Sequence, residues 1–162
     1  GYIGIKIFGD FNREYIEGEL DSILLNQEHY CISFYVSLAD KNRAGCNNFG
    51  IYFSDTVVNI STYYPLYSFS PQINYTTVIT DTINWTEIYG QYQAHGGEKY
   101  FIIGNFLDDT LTDTIHIHPS GTYINYPYYY IDDVNVHCCT CDSVNVGVGE
   151  LGITNEELEI KF

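Results

Sequence analysis

A chain of 162 residues is long enough for one domain with a sizeable core. Its formal charge is −15, and its six bases (Lys6, Arg13, Lys41, Arg43, Lys99 and Lys161) are scattered. No basic track therefore exists for nucleic acid, and an anionic membrane surface would repel the chain. Neither a signal peptide nor an apolar run long enough to span a bilayer is present, which excludes direct membrane insertion. Beginning at Gly1 and lacking Met, the chain reads as a processed or trimmed product.

The pattern along the chain predicts strands and almost no helix. Tyr2 to Phe8 places Ile3, Ile5 and Ile7 on one face of a strand. Arg13 to Leu20 has some helical character but also suits a short strand around Tyr15 and Ile16. His29 to Leu38 shows the cleanest alternation, with Tyr30, Ile32, Phe34, Val36 and Leu38 against Cys31, Ser33, Tyr35 and Ser37. Ala39 to Asn48 reads as a polar loop, Phe49 to Ser54 as a strand, Asn59 to Pro71 as a long surface connection and Ile73 to Ile79 as a strand.

Trp85 to Phe106 reads as a central hairpin reversed at Gly96-Gly97, because glycine takes positive φ at no steric cost. Its outgoing arm, Tyr100 to Ile103, is apolar on both faces and so belongs in mid-sheet. Leu107 to Asp113 is an acidic loop, Thr114 to His118 a short strand and Tyr128 to His137 the last strong strand. Residues 1–137 thus form one β-sandwich, and 138–162 a Cys- and Gly-containing linker with a strand-like end.

Five cysteines (Cys31, Cys46, Cys138, Cys139 and Cys141) leave one thiol free or paired outside the chain, with connectivity open. Neighbouring Cys138 and Cys139 would face opposite ways on an extended chain and seek different partners. The Cys138-x-x-Cys141 spacing fits a structural or inter-chain disulfide better than a redox pair, which needs a helix N-terminus. His116 and His118 share a strand face, but no third zinc ligand stands near them.

Tyrosine is the outlier of the composition, with 17 copies. Rings in loops stack on sugar faces, and Tyr63, Tyr64, Tyr67, Tyr123 and Tyr126 fall in predicted connections. The plainer reading is that most tyrosines pack with the hydroxyl reaching water, Trp85 among the packed rings. No nucleophile elbow, zinc-protease motif or phosphate-cradling loop is present, so an enzyme is not expected.

Several motifs together resemble a domain common in surface and secreted proteins of the Bacteroidota. They are Arg13 to Ile16, Tyr30 to Asp40, Gly96 to Tyr100, Ile103 to Phe106 and Tyr129 to Val134. The resemblance implies an all-β, jelly-roll sandwich of the carbohydrate-binding-module kind, here lacking its opening strand. It also implies a structural calcium at Asp132. Leu158 to Phe162 resembles the lead-in to a C-terminal sorting region of type IX secretion. Six Asp-hydroxyl-aliphatic tripeptides, with acceptors Ser22, Thr56, Thr82, Thr110, Thr114 and Ser143, resemble the O-glycosylation site of exported proteins of that phylum.

The resulting expectation is a non-catalytic carbohydrate-binding or adhesion domain at the surface, or outside, of a Gram-negative bacterium. Its partner would be a glycan or cell-surface polysaccharide. The alternative is a subunit of a filament or surface layer that pairs with other copies of itself by strand addition.

Overall fold

In β3 (His29–Leu38) every second side chain, from Tyr30 to Leu38, enters the core cluster. The alternate residues Ser33 and Tyr35 stay partly exposed. This is the two-residue period of a strand with one apolar face, and it fixes which way the first sheet lies. Phe34 is fully buried, where truncation to Ala typically costs about 3–5 kcal/mol.

The computed structural model describes residues 1–9, 13–58, 66–119 and 124–139. Besides β3, its strands are β1 (Ile3–Lys6), β2 (Ile16–Glu19), β4 (Ala44–Cys46), β5 (Phe49–Ser54), β6 (Ile73–Tyr75), β7 (Thr86–Gln93), β8 (Tyr100–Gly104), β9 (Thr114–His116) and β10 (Tyr128–Cys138). Two four-stranded sheets, ordered β1-β10-β3-β7 and β2-β8-β5-β6, face each other. All ladders within them are antiparallel. Successive strands mostly alternate between sheets, which is the order of an eight-stranded jelly roll. Both sheets reach four strands within the described residues, and β1, from the strand expected over Tyr2 to Phe8, pairs with β10 at one edge. Aromatic pairs join the layers, Phe53 stacked on Tyr92 at 5.6 Å and Phe49 edge-on to Tyr129 at 4.7 Å.

The Trp85–Phe106 stretch is not a hairpin. Its incoming arm, β7, pairs with β3 in the first sheet, and its outgoing arm, β8, lies between β2 and β5 in the second. The glycine pair does reverse the chain, with φ of +94° at Gly96 and +98° at Gly97. Glu98 is buried beneath the turn and ties it together. Its carboxylate accepts the His95 and Gly96 N–H groups at 2.8 Å each and the Tyr92 hydroxyl at 2.5 Å. The apolar-on-both-faces reading of β8 holds, since Phe101, Ile102 and Ile103 are all fully buried.

Two shorter departures have local causes. Small residues Ala44-Gly45-Cys46, read as loop, form β4 because they pair with β9 in a two-stranded ribbon. A Cβ on Gly45 would stand 2.1 Å from the Ile79 carbonyl oxygen, so that approach requires glycine. The strand expected over Ile73 to Ile79 stops at Tyr75.

One disulfide joins Cys31 of β3 to Cys139 just past β10. Cys138 is disulfide-bonded too, and Cys141 lies outside the described residues. Cys46 is the free thiol among the described cysteines, wholly buried and pushed up to about 12 by burial.

Glu98 makes the fold acid-sensitive. Burial pushes its carboxyl up, but the hydrogen bonds from Tyr92, His95 and Gly96 outweigh burial and hold its pKa below the usual value. Its contribution to stability is therefore present above the unfolded pKa, roughly 4.3, and lost as pH falls through the lowered folded value. Glu98→Gln is expected to lower stability by about 1–3 kcal/mol at pH 7 and to flatten the fall in stability below about pH 5. Urea unfolding from pH 7 to pH 3 checks this, and parallel curves for both proteins would contradict it.

Candidate binding face

The side chains that β3 turns away from the core meet their counterparts on both neighbouring strands. Cross-strand register sets Asp132 of β10, Tyr35 of β3 and Glu87 of β7 in one row. The next row holds Asn135, Ser33 and Tyr89, and the one beyond it His137, Cys31 and Gln91. In the other direction Tyr130 stands between Gly4 and Ser37. The outer face is thus built from tyrosines, carboxylates, amides and hydroxyls, with the aliphatic residues of the same strands beneath it.

A bulge in β10 makes this possible. Between Asp132 and Asn135 the strand advances three residues while β3 advances only from Tyr35 to Ser33. The extra residue reverses the alternation, so Tyr129 and Ile131 before the bulge and Val134 and Val136 after it all pack on the core. Asp133 absorbs the insertion in the left-handed region at φ +48°, which aspartate tolerates better than most residues. Its N–H is bound by Asp132 Oδ1 at 3.0 Å.

Beside the bulge lies a cleft of about 240 Å³ lined by Tyr35, Trp85, Asp132 and Asp133. Trp85 is 39% exposed rather than packed away, and Tyr2 stands beside it with ring centroids 6.1 Å apart. Tyr2 also meets Tyr130 at 4.7 Å, continuing the aromatic rim. The loop entering β7 is held by Asp81, whose Oδ1 accepts the Ile83 and Asn84 N–H groups at 2.8 and 2.9 Å. Those bonds draw the Asp81 carboxyl below the usual range. The Tyr35 phenol is pushed up, first by the charge of Glu87 opposite it and to a lesser degree by Asp133.

The loop tyrosines are placed differently from this face. Tyr67 and Tyr126 are exposed, but each already has a cation over its ring, Arg13 at 5.7 Å and Lys6 at 4.9 Å. Tyr63, Tyr64 and Tyr123 lie outside the described residues. In the sequence Tyr35 belongs to the polar half of the β3 alternation and Trp85 reads as a packed ring, while no local signal singles out Tyr89.

Asp132 and Asp133 offer carboxylates but fall short of the six to eight oxygens that calcium takes. No group of three or more His, Cys, Asp or Glu side chains converges on a metal position among the described residues. Gly1 nitrogen lies 3.9 Å from Asp132 Oδ1. The acids of the Leu107–Asp113 loop are occupied by protein groups. Asp109 pairs with the buried Arg13 guanidinium and accepts the Gly9 N–H at 3.1 Å, while Asp108 caps the 3-10 turn Asp109–Leu111. Of the acceptor hydroxyl residues, Ser22, Thr56, Thr110 and Thr114 are exposed and Thr82 is half-buried. Ser143 lies outside the described residues.

Replacing Glu87 removes the charge that acts most on Tyr35. Glu87→Gln is expected to shift the Tyr35 titration downward toward the ordinary phenol value near 10. Following the Tyr35 ring resonances by NMR from pH 8 to pH 12 measures it. An unmoved titration would mean that the two side chains do not face each other.

No family model matches the chain, and no curated protein does. Among solved structures it is similar to the K3 cleaved adhesin domain of Lys-gingipain (Kgp) from Porphyromonas gingivalis w83. The identity is 15%, the TM-score 0.42, and the match covers 83% of this chain and 70% of that one. A likeness at that score is one of general outline and says nothing of ligand or partner.

Proposed function

We propose that this chain is a non-catalytic extracellular binding module that attaches its parent protein to glycans through the outer face of β10, β3 and β7. The observation that carries the reading is the two-sidedness of those strands, with core aliphatics below and Tyr35, Tyr89, Tyr130, Glu87, Asn135 and Ser33 above. Sugars present C–H faces that suit aromatic rings and hydroxyls that suit amides and carboxylates. The Cys31–Cys139 disulfide supports an oxidising, extracellular setting. Binding rather than hydrolysis fits a sequence without a recognisable catalytic motif.

The test is a glycan array followed by affinity electrophoresis on the polysaccharides that bind. Tyr35→Ala and Tyr89→Ala are expected to weaken retention at least tenfold, since a ring contact of about 1.4 kcal/mol is tenfold in Kd. Their melting temperatures should stay near that of the parent. Tyr67→Ala and Tyr126→Ala should bind normally. The reverse pattern would move the site to the loops, and a chain that retains no glycan at all would remove the reading.

Self-assembly is a second reading, favoured by β7. That strand is laddered to β3 along eight residue pairs and lies at the sheet edge, with no second ladder among the described residues. A concentration-dependent mass in light scattering, abolished by Gln91→Lys together with Gln93→Lys on the exposed side of the edge strand, is the expected result. A monomer at every concentration would sink it.

A further inference from the structure

We propose that the cleft beside the β10 bulge selects an amine, so that the glycan bound on this face carries a free ammonium group, as a deacetylated amino sugar does. The inference rests on the glycan reading and narrows it. The walls of the cleft are two aromatic rings, Tyr35 and Trp85, and two carboxylates, Asp132 and Asp133. Glu87 adds a third carboxylate in the row of Tyr35. Among the described residues the Gly1 nitrogen lies 3.9 Å from Asp132 Oδ1 and would be displaced by a bound ammonium, while Lys6 lies against Tyr126.

Each group in this set gains most from a cation. An ammonium donates charge-assisted hydrogen bonds to carboxylates. It is also drawn to the face of an aromatic ring, tryptophan most strongly. A neutral sugar would stack on the rings and offer hydroxyls to the carboxylates, but those bonds are weaker than the charge-assisted ones an ammonium makes. A uronic acid would meet like charge in a chain of formal charge −15. At about 240 Å³ the cleft is smaller than the roughly 300 Å³ at which drug-sized pockets begin. It therefore suits no more than about one sugar residue, with the rest of the sugar chain running along the tyrosine face. The aromatic rings of that face, Tyr35, Tyr89 and Tyr130, favour a glycan over a lysine-bearing peptide as the source of the amine, because sugars present C–H faces to stack on them.

The experiment compares glucosamine oligomers with N-acetylglucosamine oligomers of equal length by isothermal titration calorimetry, at a pH where the amine is protonated. The deacetylated oligomer is expected to bind at least tenfold more tightly, with an advantage that shrinks as salt rises. Asp132→Asn should abolish the preference, and Trp85→Ala should weaken it, both with the melting temperature of the parent. Equal affinity for the two oligomers, or binding of neither while other glycans are retained, would overturn the inference and leave the glycan reading standing. Failure to bind any glycan would overturn both. Lysine oligomers that bind as tightly, with the same dependence on Asp132, would assign the cleft to polypeptide and overturn it. So would calcium that raises the melting temperature through Asp132 and erases the amine preference.

Discussion

The two-residue period of β3 is the constraint on which the rest depends. Because Tyr30, Ile32, Phe34, Val36 and Leu38 must all enter the core, Ser33 and Tyr35 have no choice but to face outward. Both neighbours are slaved to that choice. β7 is held in unbroken register by eight pairs, so Glu87, Tyr89 and Gln91 come out beside Tyr35, Ser33 and Cys31. β10 needs one inserted residue to bury Val134 and Val136 as well as Tyr129 and Ile131, and that insertion produces the Asp132–Asp133 corner. The chemistry of the face and the packing of the core are thus one decision read from two sides.

Folding and site also share their costs. The left-handed backbone at Asp133 is tolerated because the insertion lets two valines reach the core. Gly96 and Gly97 give up conformational freedom at the turn between sheets, and the Glu98 carboxylate gathers three donors beneath it. The disulfide pins the far end of β10 to β3, the pair that carries most of the face.

Alternation made the sandwich legible in the sequence. β3 could be read because its side chains repeat every second residue, and β8 because it is apolar on both faces. What could not be read was partnership. Gly96-Gly97 looks the same whether the chain pairs with itself or crosses to a second sheet, and only the partners of the two arms, β3 for one and β2 and β5 for the other, tell the two apart. β4 was invisible because Ala44, Gly45 and Cys46 carry no strand preference of their own, their conformation being imposed by β9. Rings in loops are the usual sequence signal for a sugar contact, and Tyr67 and Tyr126 are exposed with Arg13 and Lys6 over their rings. The outer face of β3 is spelled by the polar members of the same alternation that reveals the core. The Asp132–Asp133 pair is plain in the sequence, but its geometry depends on a bulge that no local residue preference announces.

The central claim is that ligand is taken on the outward side of β10, β3 and β7. Amide and side-chain chemical-shift mapping during titration with a bound glycan tests it most directly. The account predicts perturbations clustered on Ser33, Tyr35, Glu87, Tyr89, Trp85 and Asp132 to Asn135, with Tyr67 and Tyr126 unmoved. Shifts confined to the loops, or running only along the open edge of β7, would contradict it.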